Sequence, residues 1–393
     1  MEKRHSSYQT MGGMSPLSVN AAAERQFHDR RMTQADFSRA PFTIAWEVTR
    51  ACAYACVHCR ADAQHKPAPD ELSSEEGYRL IDRLAEFGNP ILVFTGGDPM
   101  MRRDLFDLIA YATQKGLRCS LTPTATALPT QARLQKAREA GIRRIALSLD
   151  APNAQVHDDF RQVEGSWERT LRILHNAQAV GLSAQVNTTV TRYNLDLLPE
   201  MVPFIESVQA VQWSLFFLVP TGRAQRDWMI TPEQHESVFN WLYDLSKQAP
   251  FDIKATAAPM YRRVAIERKK AEIKSSGDSS GKVAFQGAGF QYADGLNRPV
   301  RGVNDGNGFL FISHRGEIMP SGFLPISAGN VRQDDIVQVY REHPLFLDLR
   351  DPSRLKGKCS VCSYRDVCGG QRGRAYGLTG DYLESDPACA YQP

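Results

Sequence analysis

The 393-residue sequence predicts an α/β fold, a partial (β/α)6 TIM-type barrel followed by a small C-terminal cysteine-rich unit. Strand-like and helix-like runs alternate six times between Phe42 and Leu245. Four of the helical runs end in a glycine just before the next strand (Gly88, Gly116, Gly141 and Gly181), where glycine supplies the left-handed cap that turns the chain back. Strand–helix units in series require right-handed crossovers and a parallel sheet. Eight units close a barrel, and the six found here suggest one with a wide lateral mouth. A doubly wound flat sheet is the alternative, and periodicity alone does not separate the two.

Taken in order, residues 1–40 are polar and lack a sustained period; they read as a mobile arm with a short helix near Ala21–His28. Phe42–Thr49 is the first strand-like run. Ser73-x-x-Glu76 forms a capping box that opens a helix ending at Gly88. Pro90–Thr95, Leu117–Thr122, Ile142–Leu149, Ser183–Thr191 and Ala210–Val219 are the following strands. Asp104–Lys115, Thr130–Ala140, Ser166–Val180 and Leu195–Glu206 are the helices between them, and Thr231-Pro232 with Gln234 opens one more. Residues 275–300 are rich in Gly, Ser, Asp and Asn and read as a loop. Phe309–Ser313 and Glu317–Phe323 form a hairpin turning at His314–Gly316. The predicted units are an arm (1–40), a barrel (41–255), a linker and loop (256–300) and a cysteine-rich unit (301–393).

Lysine and arginine total 47 against 44 aspartates and glutamates, so the net charge is +3, without the clustered basic face that nucleic acid requires. The longest apolar run, Val211–Pro220, is too short to cross a bilayer. No signal-peptide pattern opens the chain, so a cytoplasmic setting with no membrane partner is expected. In a reducing compartment, clustered cysteines point to metal rather than disulfides. Of the eight cysteines, Cys119 stands alone in a strand and reads as a small buried hydrophobe.

Cys52, Cys56 and Cys59 fall within eight residues directly after the first strand. Three thiolates from one loop can wrap a single centre. A structural zinc wants four ligands, and His58 is the candidate fourth, strained by its adjacency to Cys59. This C-x3-C-x2-C loop resembles that of the radical S-adenosylmethionine (SAM) superfamily. The resemblance implies a 4Fe–4S cluster on Cys52, Cys56 and Cys59, an open iron that chelates S-adenosyl-L-methionine, and His58 beside the adenine. Phe94-Thr-Gly96-Gly97-Asp98-Pro99, after the second strand, resembles the family's GGEP motif with Asp for Glu. It implies that Gly96, Gly97 and Asp98 meet the methionyl amine. Ser148, Asp150 and Asn187, at or near strand ends, are implied contacts of the ribose or carboxylate; capping of helices is the plain alternative for each.

The tail holds Cys359, Cys362, Cys368 and Cys389, a set that satisfies either tetrahedral zinc or a closed 4Fe–4S cluster. Its spacing resembles the C-terminal SPASM or twitch extension, which implies an auxiliary 4Fe–4S cluster that relays electrons or staples the tail. Ser321 and Gln371 stand where relatives with a further cluster carry cysteine. The wording Ala45-Trp-Glu-Val-Thr-Arg50, Cys56-Val-His-Cys59-Arg60 and Arg374-Ala-Tyr376 is similar to that of the haem-biosynthesis branch. That implies an enzyme that cleaves S-adenosylmethionine reductively to a 5′-deoxyadenosyl radical and takes hydrogen from a tetrapyrrole side chain, with an electron donor such as flavodoxin or ferredoxin. Arg223, Arg262, Arg263 and Arg301 are candidate partners for substrate carboxylates, or simply solvated. A peptide-modifying maturase and a non-enzymatic metal scaffold are the other readings. No acid–base residue is assigned.

Overall fold

The computed structural model describes residues 36–276 and 302–393. The helix expected near Ala21–His28 and most of the Gly- and Ser-rich loop lie outside the described residues.

All six expected strands form: β1 (Thr43–Glu47), β2 (Ile91–Thr95), β3 (Arg118–Leu121), β4 (Arg144–Ser148), β5 (Ser183–Val190) and β6 (Gln212–Phe217). Each pairs in parallel with the next, and β7 (Asp252–Thr256) adds beyond β6. Their order in the sheet is their order in the chain. A doubly wound sheet reverses its strand order part-way. This one does not, so the architecture is the partial barrel.

The helices pack where their apolar periods direct them. α1 (Ser74–Ala85) opens on the expected capping box, Ser73 Oγ accepting from Glu76 N, and buries Leu80, Ile81 and Leu84 against the sheet. Each such side chain contributes roughly 1.5–3 kcal/mol of apolar burial. α2 (Leu105–Gln114) and α3 (Gln131–Ala140) follow, and Gly141 closes α3 at φ +120°. α4 (Ala154–Arg161) was not expected; only His157 and Phe160 of its eight residues are buried, too few to print a period. α5 (Ser166–Ala179), α6 (Leu198–Ser207) and α7 (Pro232–Leu245) complete the outer layer, α7 opening on a second capping box from Thr231 and Gln234. Trp46 and Trp213 are fully buried at the heart of the core.

The linker expected from residue 256 does not begin there. β7 ends at Thr256, and residues 260–276 form a helix, α8 (Met260–Ser276), whose many lysines and arginines mask the buried stripe of Met260, Tyr261, Val264 and Ala265. The hairpin of the tail forms as β8 (Phe309–Ile312) and β9 (Ile318–Met319). Its first strand also pairs in parallel with β1, Thr43 opposite Phe309 and Trp46 opposite Ile312. Barrel and tail therefore share one nine-stranded sheet among the described residues. Four short helices follow: α9 (Ile336–Glu342), α10 (Pro344–Arg350), α11 (Gly357–Val361) and α12 (Arg372–Thr379).

Candidate active site

A half-open cavity of about 230 Å³ lies at the C-terminal ends of the barrel strands, where such folds gather their chemistry. Cys52, Cys56, His58 and Cys59 line one side. The loop carrying them is closed by backbone bonds, Cys52 N to Gln64 O at 2.7 Å and Gln64 N to Arg50 O at 3.0 Å. Tyr54 N donates to Cys52 Sγ at 3.4 Å, and Arg161 Nη1 to Cys56 Sγ at 3.8 Å. Burial pushes both thiols above the ordinary range, against these donors. A bound metal centre would displace those protons and hold the sulfurs as thiolates. Three thiols on one cavity wall, with no disulfide, suit a cluster ligand set.

Gly96 and Gly97 line the cavity beside this loop. A Cβ on Gly96 would lie 2.5 Å from Thr49 O, and one on Gly97 2.4 Å from Ala51 O. The glycines thus let the end of β2 dock on the backbone that leads into the cysteines, with Gly97 N donating to Thr49 O at 2.9 Å. Asp98 lies behind them, fully buried and off the cavity wall; its carboxylate accepts from Thr126 Oγ1 at 2.8 Å and Met100 N at 3.1 Å.

Ser148, at the end of β4, is on the wall. Asp150 and Asn187 are not. Asp150 is buried and accepts from Arg161 Nε at 2.7 Å and Thr189 N at 2.8 Å. Burial alone would raise its pKa, but the Arg161 charge prevails and holds it below the usual carboxylate range. Asn187 Oδ1 accepts from Gln185 Nε2 at 2.8 Å. His58 stacks on Phe160 with ring centres 3.9 Å apart, and burial drives its pKa down to about 3. His157, also on the wall, is driven down to about 4 by burial, so both rings are neutral near pH 7.

The opposite wall is apolar: Phe216, Phe217, Leu218 and Val219 from the end of β6, and Phe323 from the tail hairpin. Sequence reasoning missed this wall and Arg161. The signal for Arg161 was indirect: a buried aspartate such as Asp150 demands a cationic partner nearby.

Three of the arginines considered for substrate are engaged elsewhere. Arg223 braces the cysteine loop, Nε to Cys56 O at 2.9 Å and Nη1 to Ala63 O at 3.1 Å, while its own N donates to Cys59 O. Gly222, at φ +61°, makes that approach possible, since a Cβ there would stand 2.4 Å from Cys59 O. Arg262 is half-buried and donates to Val367 O and Val303 O. Arg263 pairs with Glu236 and Glu267. Arg301 lies outside the described residues.

The second cysteine group shares a pocket of its own. Cys359, Cys362, Cys368 and Cys389 line one small pocket, with Tyr364 N donating to Cys362 Sγ and Gly370 N to Cys368 Sγ, each at 3.4 Å. Burial pushes the Cys368 thiol up to about 12. Asp386 secures the segment between them: it accepts from Gln371 N at 2.9 Å and pairs with Arg374 at 3.1 Å, both side chains wholly buried. Ser321 and Gln371, at the positions read as replaced cysteines, meet around buried Asp305, whose carboxylate also takes the Gly373 N–H at 2.9 Å.

Residues 46–202 match the Radical SAM superfamily. The chain is 43% identical over 364 residues to an AdoMet-dependent heme synthase of Oleidesulfovibrio alaskensis, covering 92% of this chain and 90% of that protein. This chain belongs to the radical SAM superfamily. A second AdoMet-dependent heme synthase, from Nitratidesulfovibrio vulgaris, is 42% identical across 89% of this radical SAM chain and 92% of its own. In fold, the chain is similar to Streptococcus suis SuiB bound to precursor peptide SuiA, at TM-score 0.67 and 15% identity, over 98% of this chain and 84% of that one. Radical SAM proteins are enzymes that use a 4Fe–4S cluster and S-adenosylmethionine, and this chain is one of them. Among the described residues, no helix is long and apolar enough to cross a membrane.

Proposed function

We propose that this radical SAM enzyme acts on a carboxylate-bearing side chain of a tetrapyrrole in haem-type cofactor synthesis. The observation that carries the reading is the near end-to-end likeness, at 42–43% identity, to two proteins named for heme synthesis. The apolar wall of Phe216–Val219 and Phe323 supports it, since a macrocycle presents a broad apolar face. Peptide modification is the less favoured reading: the likeness to SuiB, at 15% identity, speaks for fold alone.

In this reading Cys52, Cys56 and Cys59 would hold the cluster that binds the cofactor. His58, Gly96, Gly97 and Ser148 border S-adenosylmethionine, while Asp98, Asp150 and Asn187 position the groups that do. Cys359, Cys362, Cys368 and Cys389 hold a second, auxiliary cluster. When bound, cluster and cofactor supply a one-electron cleavage that yields a 5′-deoxyadenosyl radical. The chain's own residues do the rest. Tyr54 N and Arg161 favour the thiolate form of Cys52 and Cys56. The Arg223 brace holds the loop's shape. The apolar wall keeps water from the reacting carbon. A flavodoxin or ferredoxin supplies the electron.

The test is deoxyadenosine release by anaerobically reconstituted protein under reductant. A carboxylated iron porphyrinoid is expected to accelerate it and an unmodified precursor-type peptide to leave it unchanged. Acceleration by the peptide alone overturns the reading.

A further inference from the structure

Two described arginines reach the cavity wall, Arg60 and Arg161. Arg161 is committed to Asp150 and Cys56. Arg60, the residue after Cys59, is placed differently. Its Nη2 donates to Glu47 Oε2 at 2.9 Å, and its guanidinium carbon lies over the Phe311 ring, 4.7 Å from the ring centre. Glu47, buried at the end of β1, gives its other oxygen to His314 Nδ1 at 2.8 Å. That second bond draws charge from the carboxylate, so Glu47 orients Arg60 without consuming the whole cation. What remains is donor capacity: Nη1 reaches only Gly322 O, at a long 3.5 Å, Nε makes no hydrogen bond among the described residues, and the second Nη2 proton completes a two-donor edge with whichever of those nitrogens it faces. The side chain keeps 23% of its surface exposed, beside Phe323 and the apolar wall.

We propose that Arg60 is the seat for a substrate carboxylate, its free edge forming the charge-assisted contact and the Glu47–His314 pair fixing its direction. This rests on the tetrapyrrole reading and deepens it by naming the group that reads the side-chain acid. A guanidinium edge matches a carboxylate two-to-two, whereas a lysine in its place supplies a point charge only. The location follows the chemistry: an acid seated one residue from the cysteine loop brings its neighbouring carbons toward the cofactor, while the apolar macrocycle meets Phe216 and Phe323.

The test uses the reconstituted holoenzyme and two probes, iron coproporphyrin III and its tetramethyl ester, followed by absorbance titration. The wild-type protein is expected to bind the acid at least tenfold more tightly than the ester, the scale of one charge-assisted contact. Arg60→Gln should remove most of that preference, and Arg60→Lys should restore part of it. The acid-to-ester ratio is internal to each protein, so a variant that merely folds poorly loses affinity for both probes and leaves the ratio unchanged. A wild-type protein that binds acid and ester alike overturns the Arg60 assignment, as does an unchanged ratio in Arg60→Gln; deoxyadenosine release driven by the acid would still support the tetrapyrrole reading. A wild-type protein that binds neither probe overturns both.

Discussion

Replacing Asp386 with Ala tests how the cysteine-rich tail is held to the barrel. Its partner Arg374 is wholly buried, and reaches from α12 to the ends of two barrel strands, Nε donating to Leu218 O at 3.3 Å and Nη2 to Ala257 O. Asp386→Ala removes the only carboxylate Arg374 has among the described residues, and also strips acceptors from Gln371 N and Ala388 N. A buried charge left without its partner costs roughly 3–5 kcal/mol. Asp381→Asn is the control, because its partner Lys356 is 55% exposed and such pairs contribute about 1 kcal/mol or less. The assay is the thermal midpoint of the reconstituted protein with the rate of iron loss to a chelator. At roughly 2 °C per kcal/mol, Asp386→Ala should fall by about 6–10 °C and shed iron faster, while the control moves by about 2 °C or less. Equal, small shifts in both variants would refute the argument that a buried ion pair docks the tail.

Three further outcomes follow from the geometry. Gly97→Ala drives a Cβ to 2.4 Å from the rigid Ala51 carbonyl and should abolish cluster incorporation at the first loop, whereas Gly88→Ala meets open space and costs only about 1 kcal/mol for its positive φ; iron content and melting separate them. Cys359→Ala should lower reconstituted iron from about eight to about four per chain, and unchanged iron would refute Cys359 as a ligand of the auxiliary cluster. His157 and His235 are buried and neutral, each driven by burial from 6.5 to about 4. The unfolded chain binds more protons between those values, so stability is full above about pH 6.5 and falls as pH drops toward 4, by up to roughly 3 kcal/mol per ring. Denaturation midpoints that stay level from pH 7 to pH 4.5 would contradict it.

The barrel was legible because its signals are local. Ser73 with Glu76, Thr231 with Gln234, and a glycine such as Gly141 mark helix ends within a few residues. The cysteine spacings likewise sort the clustered thiols into two sets, and each set lines one pocket. What stayed hidden depends on partners distant in the chain. The pairing of β8 with β1 joins residues more than 260 positions apart, and the His314–Glu47 contact spans 267. Nothing near Arg223 announces that it will embrace the loop of Cys56, and nothing near Asp98 announces that Thr124 and Thr126 will enclose it. The glycines after β2 were legible as a close approach, but the surface approached includes the cysteine loop's own backbone.

The shared sheet has a consequence for anyone dissecting this enzyme. Because β8 runs alongside β1, removing everything after residue 301 would do more than delete the tail cysteines. It would bare a row of unpaired amides and carbonyls beside Ile44 and Trp46, an invitation to edge-to-edge association between molecules. Activity lost by such a shortened chain would report a damaged barrel, so the contribution of the second cysteine group is read from single-residue changes within the intact protein.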